Sequence, residues 1–249
     1  MLLKCAAGVA GRVGRCAIVV LAFGPACAGL AFGQSIAPKK ETRDAGSCTG
    51  VISAIGDTLA VSKFGFFGNE ESKVPIDTWR IDDLVFSRIS AVLGSHSNLK
   101  RVSVSKGAFA VLEGDHNPLY NSTDDVKAIL GRIATTTRCD RYIVVMKTTV
   151  NFKNSQRLDG LGILSQGDGY SAWAEFTINL YDGQNFSLLG KHPAVTGKKN
   201  FLGVDVKPYR KVDQTWWPAG ATPTPAARDG FRSLVMESLE ATVPKLLND

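Results

Sequence analysis

The chain has 249 residues, 44% of them hydrophobic and 21% charged, and a formal net charge of +6. This is the composition of an ordinary globular protein, with room for one large or two small domains. The surplus of positive charge is modest, so it does not favour a nucleic-acid partner.

Residues 1–33 have the pattern of a secretory signal peptide: a basic start, a short apolar run over residues 16–23, and small residues up to Gly33. The apolar run is much shorter than the roughly 20 residues that a spanning helix needs. We therefore expect cleavage before Gln34 and a periplasmic or secreted protein with no stable membrane span, with a retained membrane anchor as the alternative. Cleavage removes three basic residues and no acidic residue, which lowers the net charge from +6 to +3.

Two cysteines, Cys48 and Cys139, remain after the predicted cleavage. An exported protein can oxidise such a pair, so we expect a disulfide, with two independent buried thiols as the alternative. The histidines, at positions 96, 116 and 192, are scattered, and the spacings typical of zinc ligands do not occur. The sequence therefore predicts neither a metal nor another cofactor.

The first part of the mature chain predicts strands followed by a helix. Residues 34–48 are polar and are expected to form a flexible lead-in. Residues 49–62 predict two strands around a Gly-Asp turn. A helix follows, with Asp82 as its amino-terminal cap and Gly94 at its end.

The middle of the chain contains the elements around which we expect the fold to form. Residues 102–112 favour a further strand or a bent pair, and a second helix begins at Ser122 with the spacing of a capping box. Residues 142–150, apolar and rich in β-branched side chains, predict a central strand. Residues 151–170 predict a loop, and residues 171–181 alternate as in a half-covered antiparallel strand.

The remaining elements complete a single domain. A third strand is expected from Phe186, an irregular segment over residues 197–225, and a last helix that begins at Pro225 and frays near Pro244. Together the elements predict one α/β (α+β) domain over residues 49–249. In it, a mixed sheet of about five to seven strands is backed by two or three helices.

Two resemblances follow from this order of elements. A helix before residues 140–145, a variable loop and then residues 174–183 resemble the periplasmic α/β domains of the curli-secretion lipoprotein, the penicillin-binding-protein activators and the Tol translocation protein amino-terminal domain. Residues 55–58 and 81–83 resemble segments of uncharacterised exported bacterial proteins. The first resemblance implies a non-catalytic binding or envelope-assembly protein, with an envelope protein as one expected partner. An anionic glycan is the other expected partner, because of the lysines in the basic, aromatic segment over residues 198–217.

One short motif points instead to an enzyme. Residues 54–59 are similar to the first block of GDSL-type hydrolases, with Thr58 at the position of the nucleophilic serine. The late Asp-x-x-His of that family, which supplies the base, does not occur. A hydrolase is therefore the alternative function, and an ordinary turn is the preferred interpretation of the motif.

Candidate ligand-binding residues come from two segments. In the predicted loop over residues 151–170, Leu161 and Ile163 either face a partner or pack over the sheet. In the basic, aromatic segment, Trp216 and Trp217 can stack on sugar or peptide, accompanied by Tyr209 and Arg210. Burial of both tryptophans as anchors of a long loop is the alternative.

Overall fold

The computed structural model describes residues 47–65, 68–94, 98–113, 122–152, 156–167, 169–218 and 222–248. The predicted signal peptide and most of the predicted lead-in, residues 34–46, lie outside the described residues. His96 and His116 also lie outside them.

Over these described residues the fold is an α+β domain with two mixed five-stranded sheets and three α-helices. The strands are β1 Thr49–Ala54, β2 Thr58–Gly65, β3 Gly68–Pro75, β4 Leu99–Arg101, β5 Arg141–Lys147, β6 Thr149–Phe152, β7 Gln156–Asp159, β8 Leu161–Gln166, β9 Gly169–Ala174, β10 Phe176–Asp182, β11 Leu188–Pro193 and β12 Tyr209–Val212. The helices are α1 Ile81–Leu93, α2 Ser122–Ala134 and α3 Pro225–Thr242.

The first sheet has the order β11-β10-β5-β1-β4, and β1 is parallel to both β4 and β5. The central-strand prediction is confirmed, since Val144 and Val145 of β5 are fully buried. The second sheet has the order β12-β9-β8-β2-β3, and β6 and β7 form a separate hairpin. The prediction of a mixed sheet in an α+β domain is therefore confirmed, but the strands are divided between two sheets.

The predicted strand over residues 171–181 is divided at Glu175. Its first part, β9, belongs to the second sheet, and its second part, β10, belongs to the first. The half-covered assignment is wrong for β10, because Thr177 and Asn179 are buried like the apolar Ile178 between them. Burial raises the pKa of Glu175, and Lys207, whose Nζ lies 3.5 Å from Glu175 Oε2, opposes that rise.

Three other segments differ from their predictions. Residues 102–109 contain no strand, and residues 110–112 form a 3-10 turn. The predicted loop over residues 151–170 contains β7 and β8, because β8 pairs with both β2 and β9. The irregular segment over residues 197–225 contains β12, which pairs with β9. β8 and β12 depend on partners distant in sequence, β2 and β9, which local pattern does not reveal, whereas β7 pairs with the neighbouring β6.

The helix boundaries follow the predicted end signals more closely. Gly94, at φ 73°, ends α1, and the Thr224 hydroxyl accepts a hydrogen bond from the Ala227 amide at the start of α3. Asp82 lies in the first turn of α1 instead of capping it, because Arg80 takes the cap position at φ 54°.

Two large apolar cores and one smaller cluster stabilise the described part of the domain. The main core joins one face of each five-stranded sheet to α1 and α3, with Phe231 and Trp79 stacked at 5.8 Å between ring centroids. The second core lies on the other side of β1 and β5 and contains residues of α2. Cys48 and Cys139 belong to this second core, where they form a disulfide with a Cα–Cα distance of 4.8 Å. The disulfide prediction is therefore confirmed.

Replacing Cys48 and Cys139 together with alanine should lower the free energy of unfolding by about 4 kcal/mol. The reason is that the bond links residues separated by 91 positions and so restricts the unfolded chain. Urea unfolding of the oxidised protein and of the double variant measures this difference. Two free thiols per chain in the denatured, non-reduced wild-type protein would contradict the bond itself.

Candidate functional site

A buried lysine lies at the carboxyl end of the β1–β5 ladder. Lys147 Nζ lies 2.5 Å from Asp57 Oδ1, 2.8 Å from Thr58 Oγ1 and 3.3 Å from Glu113 Oε1. The Lys147 side chain is only 8% exposed. We call these four residues the lysine cluster. It connects the end of β5 to the turn that follows β1.

A glycine makes room for the lysine cluster. Gly160 has φ 56°, and a Cβ added there would lie 2.8 Å from Lys147 Cδ. A larger residue at position 160 would therefore be strained and would displace the lysine stem. Glu113 also accepts a hydrogen bond from Lys73 Nζ at 2.9 Å, so both of its oxygens contact a lysine.

The geometry of the lysine cluster bears on the chemistry open to Thr58. An ammonium has three N–H donors and no acceptor, and three oxygens surround Lys147 Nζ. The Thr58 oxygen therefore accepts a hydrogen bond from Lys147. A lysine that served as the base for Thr58 would instead need a lone pair directed at the Thr58 hydroxyl.

The acidic residues at the start of α1 also serve the fold. Asp82 Oδ1 accepts hydrogen bonds from Ser53 Oγ at 2.5 Å and from the Ile55 amide at 3.1 Å. Hydrogen bonds from Arg101 and Arg80 hold the pKa of Asp83 below its ordinary value. These contacts join α1 to β1 and β4.

A cavity of about 440 Å³ lies beside the disulfide. We call it the disulfide cavity. Its walls come from the carboxyl-terminal half of α2, the segment before β5 and the turn between β10 and β11. The lining residues are Cys48, Gly131, Ala134, Thr135, Arg138, Cys139, Asp140, Gly183, Gln184 and Phe186.

The β10–β11 turn is closely packed against the segment before β5. The Gly183 amide donates to the Asp140 carbonyl at 2.7 Å, and a Cβ at Gly183 would lie 1.9 Å from the Cys139 carbonyl oxygen. Only glycine allows this approach. Asp182 Oδ1 then accepts hydrogen bonds from the amides of Gln184 and Asn185, which closes the turn.

Phe186 forms one wall of the cavity in an unusual backbone conformation. Its φ is 55°, a region that costs a bulky residue on the order of 1–3 kcal/mol. The Phe186 ring lies 6.2 Å from the Tyr142 ring, between centroids, and 3.7 Å from the Cβ position of Gly131. The surrounding structure thus holds an aromatic ring in place despite local backbone strain.

The polar groups of the cavity are varied. The lining contains a guanidinium, a carboxylate, a hydroxyl and a side-chain amide, from Arg138, Asp140, Thr135 and Gln184. All four residues are exposed. Together with the Phe186 ring, they offer an apolar face and several hydrogen-bonding groups to a ligand.

The sequence-predicted binding residues lie elsewhere. Trp216 packs 5.5 Å from the Phe231 ring, and Trp217 lies 5.5 Å from the Tyr170 ring, between centroids. Both tryptophans pack against the main core and are half-buried. Both tryptophans therefore anchor their loop to the main core, and a role for them in ligand binding stays a prediction.

The other predicted binding residues divide into surface and core. The Tyr209 hydroxyl donates to Ser171 Oγ at 2.6 Å, and Arg210 pairs with Glu237 at 2.8 Å. Leu161 and Ile163 lie in β8 and are buried in the main core. The structure therefore does not bring these six residues into one concave site.

The sequence interpretation missed Lys147 and the disulfide cavity. A lysine at the end of an otherwise apolar strand was the available signal for the first. The cavity had no local signal, because its walls come from three separate segments.

Comparisons with protein-family models, with curated proteins and with solved structures gave no match. Within the described ranges, each helix is too short or too polar to cross a membrane. In the same part of the chain, no three acidic, histidine or cysteine side chains are grouped so as to hold a metal ion.

Lys147→Met should lower the free energy of unfolding by about 2 kcal/mol, because it leaves Asp57 and a partly buried Glu113 with fewer partners. Lys73→Met is the matched control, since Lys73 is 46% exposed and also contacts Glu113. It should cost less than about 1 kcal/mol. Urea unfolding measures both differences. Equal stability of the Lys147 variant and the wild type would contradict a structural role.

Proposed function

We propose that this chain is an exported, non-catalytic binding protein of the cell envelope, and that its ligand occupies the disulfide cavity. Export is supported by the amino-terminal pattern of residues 1–33 and by the Cys48–Cys139 pair, because disulfides persist in oxidising compartments. The resemblance to periplasmic envelope domains supports the same compartment.

The observation that carries the proposal is the disulfide cavity itself. Its volume of about 440 Å³ falls within the range of about 300 to 1,000 Å³ that is typical of small-molecule sites. The disulfide joins two of its lining residues covalently, and the wall formed by the β10–β11 turn contains the strained Phe186. Strain of this kind is more common at ligand sites than elsewhere.

The lining favours an anionic glycan as the ligand. The Phe186 ring can pack against the apolar face of a sugar ring, and hydroxyl groups can bond to Asp140, Gln184 and Thr135. Arg138 can form a two-pronged hydrogen bond with a carboxylate. An envelope protein that inserts a side chain into the cavity is the other partner of this proposal.

A second surface competes for the same ligand. Trp217, Tyr209 and Arg210, which the sequence favoured, lie on or next to β12 with exposed lysines nearby. A sugar could stack there as well. The experiment below separates the two surfaces.

The hydrolase alternative gains one supporting observation: the 2.8 Å contact between Lys147 Nζ and Thr58 Oγ1. In that proposal Thr58 attacks an ester carbonyl while Lys147, in its neutral form, accepts the Thr58 proton and passes it to the departing alcohol; water then hydrolyses the resulting acyl-threonine. The carboxylates of Asp57 and Glu113 weigh against it, because they occupy the remaining donors of the lysine. An esterase activity that disappears in both Thr58→Ala and Lys147→Met would support this alternative.

Gly131→Leu should abolish binding of an acidic oligosaccharide, because the new side chain extends into the disulfide cavity next to Phe186. The probe is a tetrasaccharide of uronic acid, compared with a neutral glucose tetrasaccharide by isothermal titration calorimetry. The wild-type protein should bind the acidic probe at least about tenfold more tightly, the scale of one charge-assisted hydrogen bond.

Gly131→Ala is the matched control, because it gives α2 the same gain in helix propensity but leaves most of the cavity open. It should keep the affinity of the wild-type protein. If Trp217→Ala abolishes binding and Gly131→Leu does not, the ligand lies on the tryptophan surface. Absence of binding to both probes would contradict the glycan proposal.

A further inference from the structure

The segment between β11 and β12 contains a loop that is closed by its own hydrogen bonds. The Thr196 amide donates to the Val206 carbonyl at 2.8 Å, and the Asn200 amide donates to the Val204 carbonyl at 2.9 Å. Asn200 Oδ1 accepts further hydrogen bonds from the amides of Leu202 and Val204. Gly203, at φ 76°, allows the tight turn. The loop therefore has a defined shape.

Its tip is apolar and exposed. Phe201 is 94% exposed, Leu202 71% and Val204 58%. We call these three residues the loop tip. Single exposed apolar residues are common on protein surfaces, but three within four positions at the end of one ordered turn are not explained by packing.

Cationic side chains surround the base of the loop. Lys198, Lys199 and Lys207 are exposed and flank the loop tip in sequence. The Asp205 carboxylate, within the loop, pairs with Lys245 Nζ at 2.8 Å, which ties the loop to the end of the chain. Lys198 and Lys207 lie 3.6 Å and 3.5 Å from Glu237 and Glu175, and Arg210 shares Glu237. Five cations thus face three carboxylates, and the surplus is positive.

We propose that this loop docks the protein on the surface of an anionic phospholipid bilayer. The loop tip enters the boundary between headgroups and acyl chains, while the lysines remain at the level of the anionic headgroups. Lysine stems can lie along apolar surface with the ammonium in water, which suits this depth. The arrangement holds the protein on a membrane by a surface different from the disulfide cavity, and it does not depend on the glycan proposal.

The shape of the tip favours a bilayer over a protein partner. A stable protein interface buries about 800 Å² on each side and has a well-packed centre. Three side chains at the end of a single turn offer less area than that, and the rest of the domain covers them little. A bilayer needs no complementary pocket, since its apolar interior accepts any apolar side chain.

Vesicle co-sedimentation tests the proposal with the purified exported protein. One set of vesicles contains phosphatidylcholine alone, and the other contains phosphatidylcholine mixed with phosphatidylglycerol. The protein should bind the mixed vesicles, and binding should weaken with added salt. Phe201→Ser with Leu202→Ser should reduce the partition coefficient at least about tenfold, because two large apolar side chains no longer insert.

Leu188→Ser with Leu189→Ser is the matched control, since it removes two exposed leucines from β11. It should leave vesicle binding unchanged.

Lys198→Gln with Lys199→Gln should reduce binding to the mixed vesicles. The proposal is wrong if the wild-type protein binds neither set of vesicles. It is also wrong if the double variant at Phe201 and Leu202 and the double variant at Leu188 and Leu189 bind the mixed vesicles equally well. The proposal would also be overturned if the wild-type protein bound no vesicles and a purified protein partner bound the wild type more tightly than the Phe201→Ser, Leu202→Ser variant. Glycan titration of the same variants keeps this result separate from the cavity proposal.

Discussion

The parallel pairing of β1 with β5 is the constraint on which the rest of the structure depends. Parallel strands are not joined by a short turn, so the ends of this ladder must be held by contacts between distant residues. The disulfide holds the amino ends, where Cys48 and Cys139 precede the two strands. The lysine cluster holds the carboxyl ends, through Lys147 and the turn after β1.

Because both ends of the ladder are held, the wall of the disulfide cavity can include the strained residue Phe186. The disulfide fixes the segment before β5, and Gly183 binds the β10–β11 turn to that segment through its amide. Phe186 is thus held at positive φ by a turn that has little freedom to relax. A cavity built in this way is already formed before a ligand arrives, which reduces the entropy that binding must overcome. The lysine cluster also helps to keep the cavity formed, because its ion pairs stabilise the β1–β5 ladder that supports the cavity.

The sequence was most informative where local chemistry decides the outcome. The β-branched run of β5, the Thr224 and Pro225 start of α3 and the Gly94 end of α1 could all be predicted, because each depends on neighbouring residues. The change of sheet at Glu175, the pairing of β8 with β2 and the contacts of Lys147 could not. These depend on residues tens of positions apart, and an alternating pattern continues unchanged where the chain passes between sheets. The disulfide was predicted from the compartment, but the cavity beside it requires the packed turn of Gly183.

Native-state hydrogen exchange of the β1 and β5 amides tests most directly whether both ends of the ladder are closed. We expect the amides at Ile52 and Ile143, towards the disulfide, and those at Ala54 and Val145, towards the lysine cluster, to exchange only through global unfolding. Their opening free energies and denaturant slopes should therefore agree with the values for unfolding of the whole domain. Exchange through local opening at either end, with a free energy well below the global value, would contradict the account.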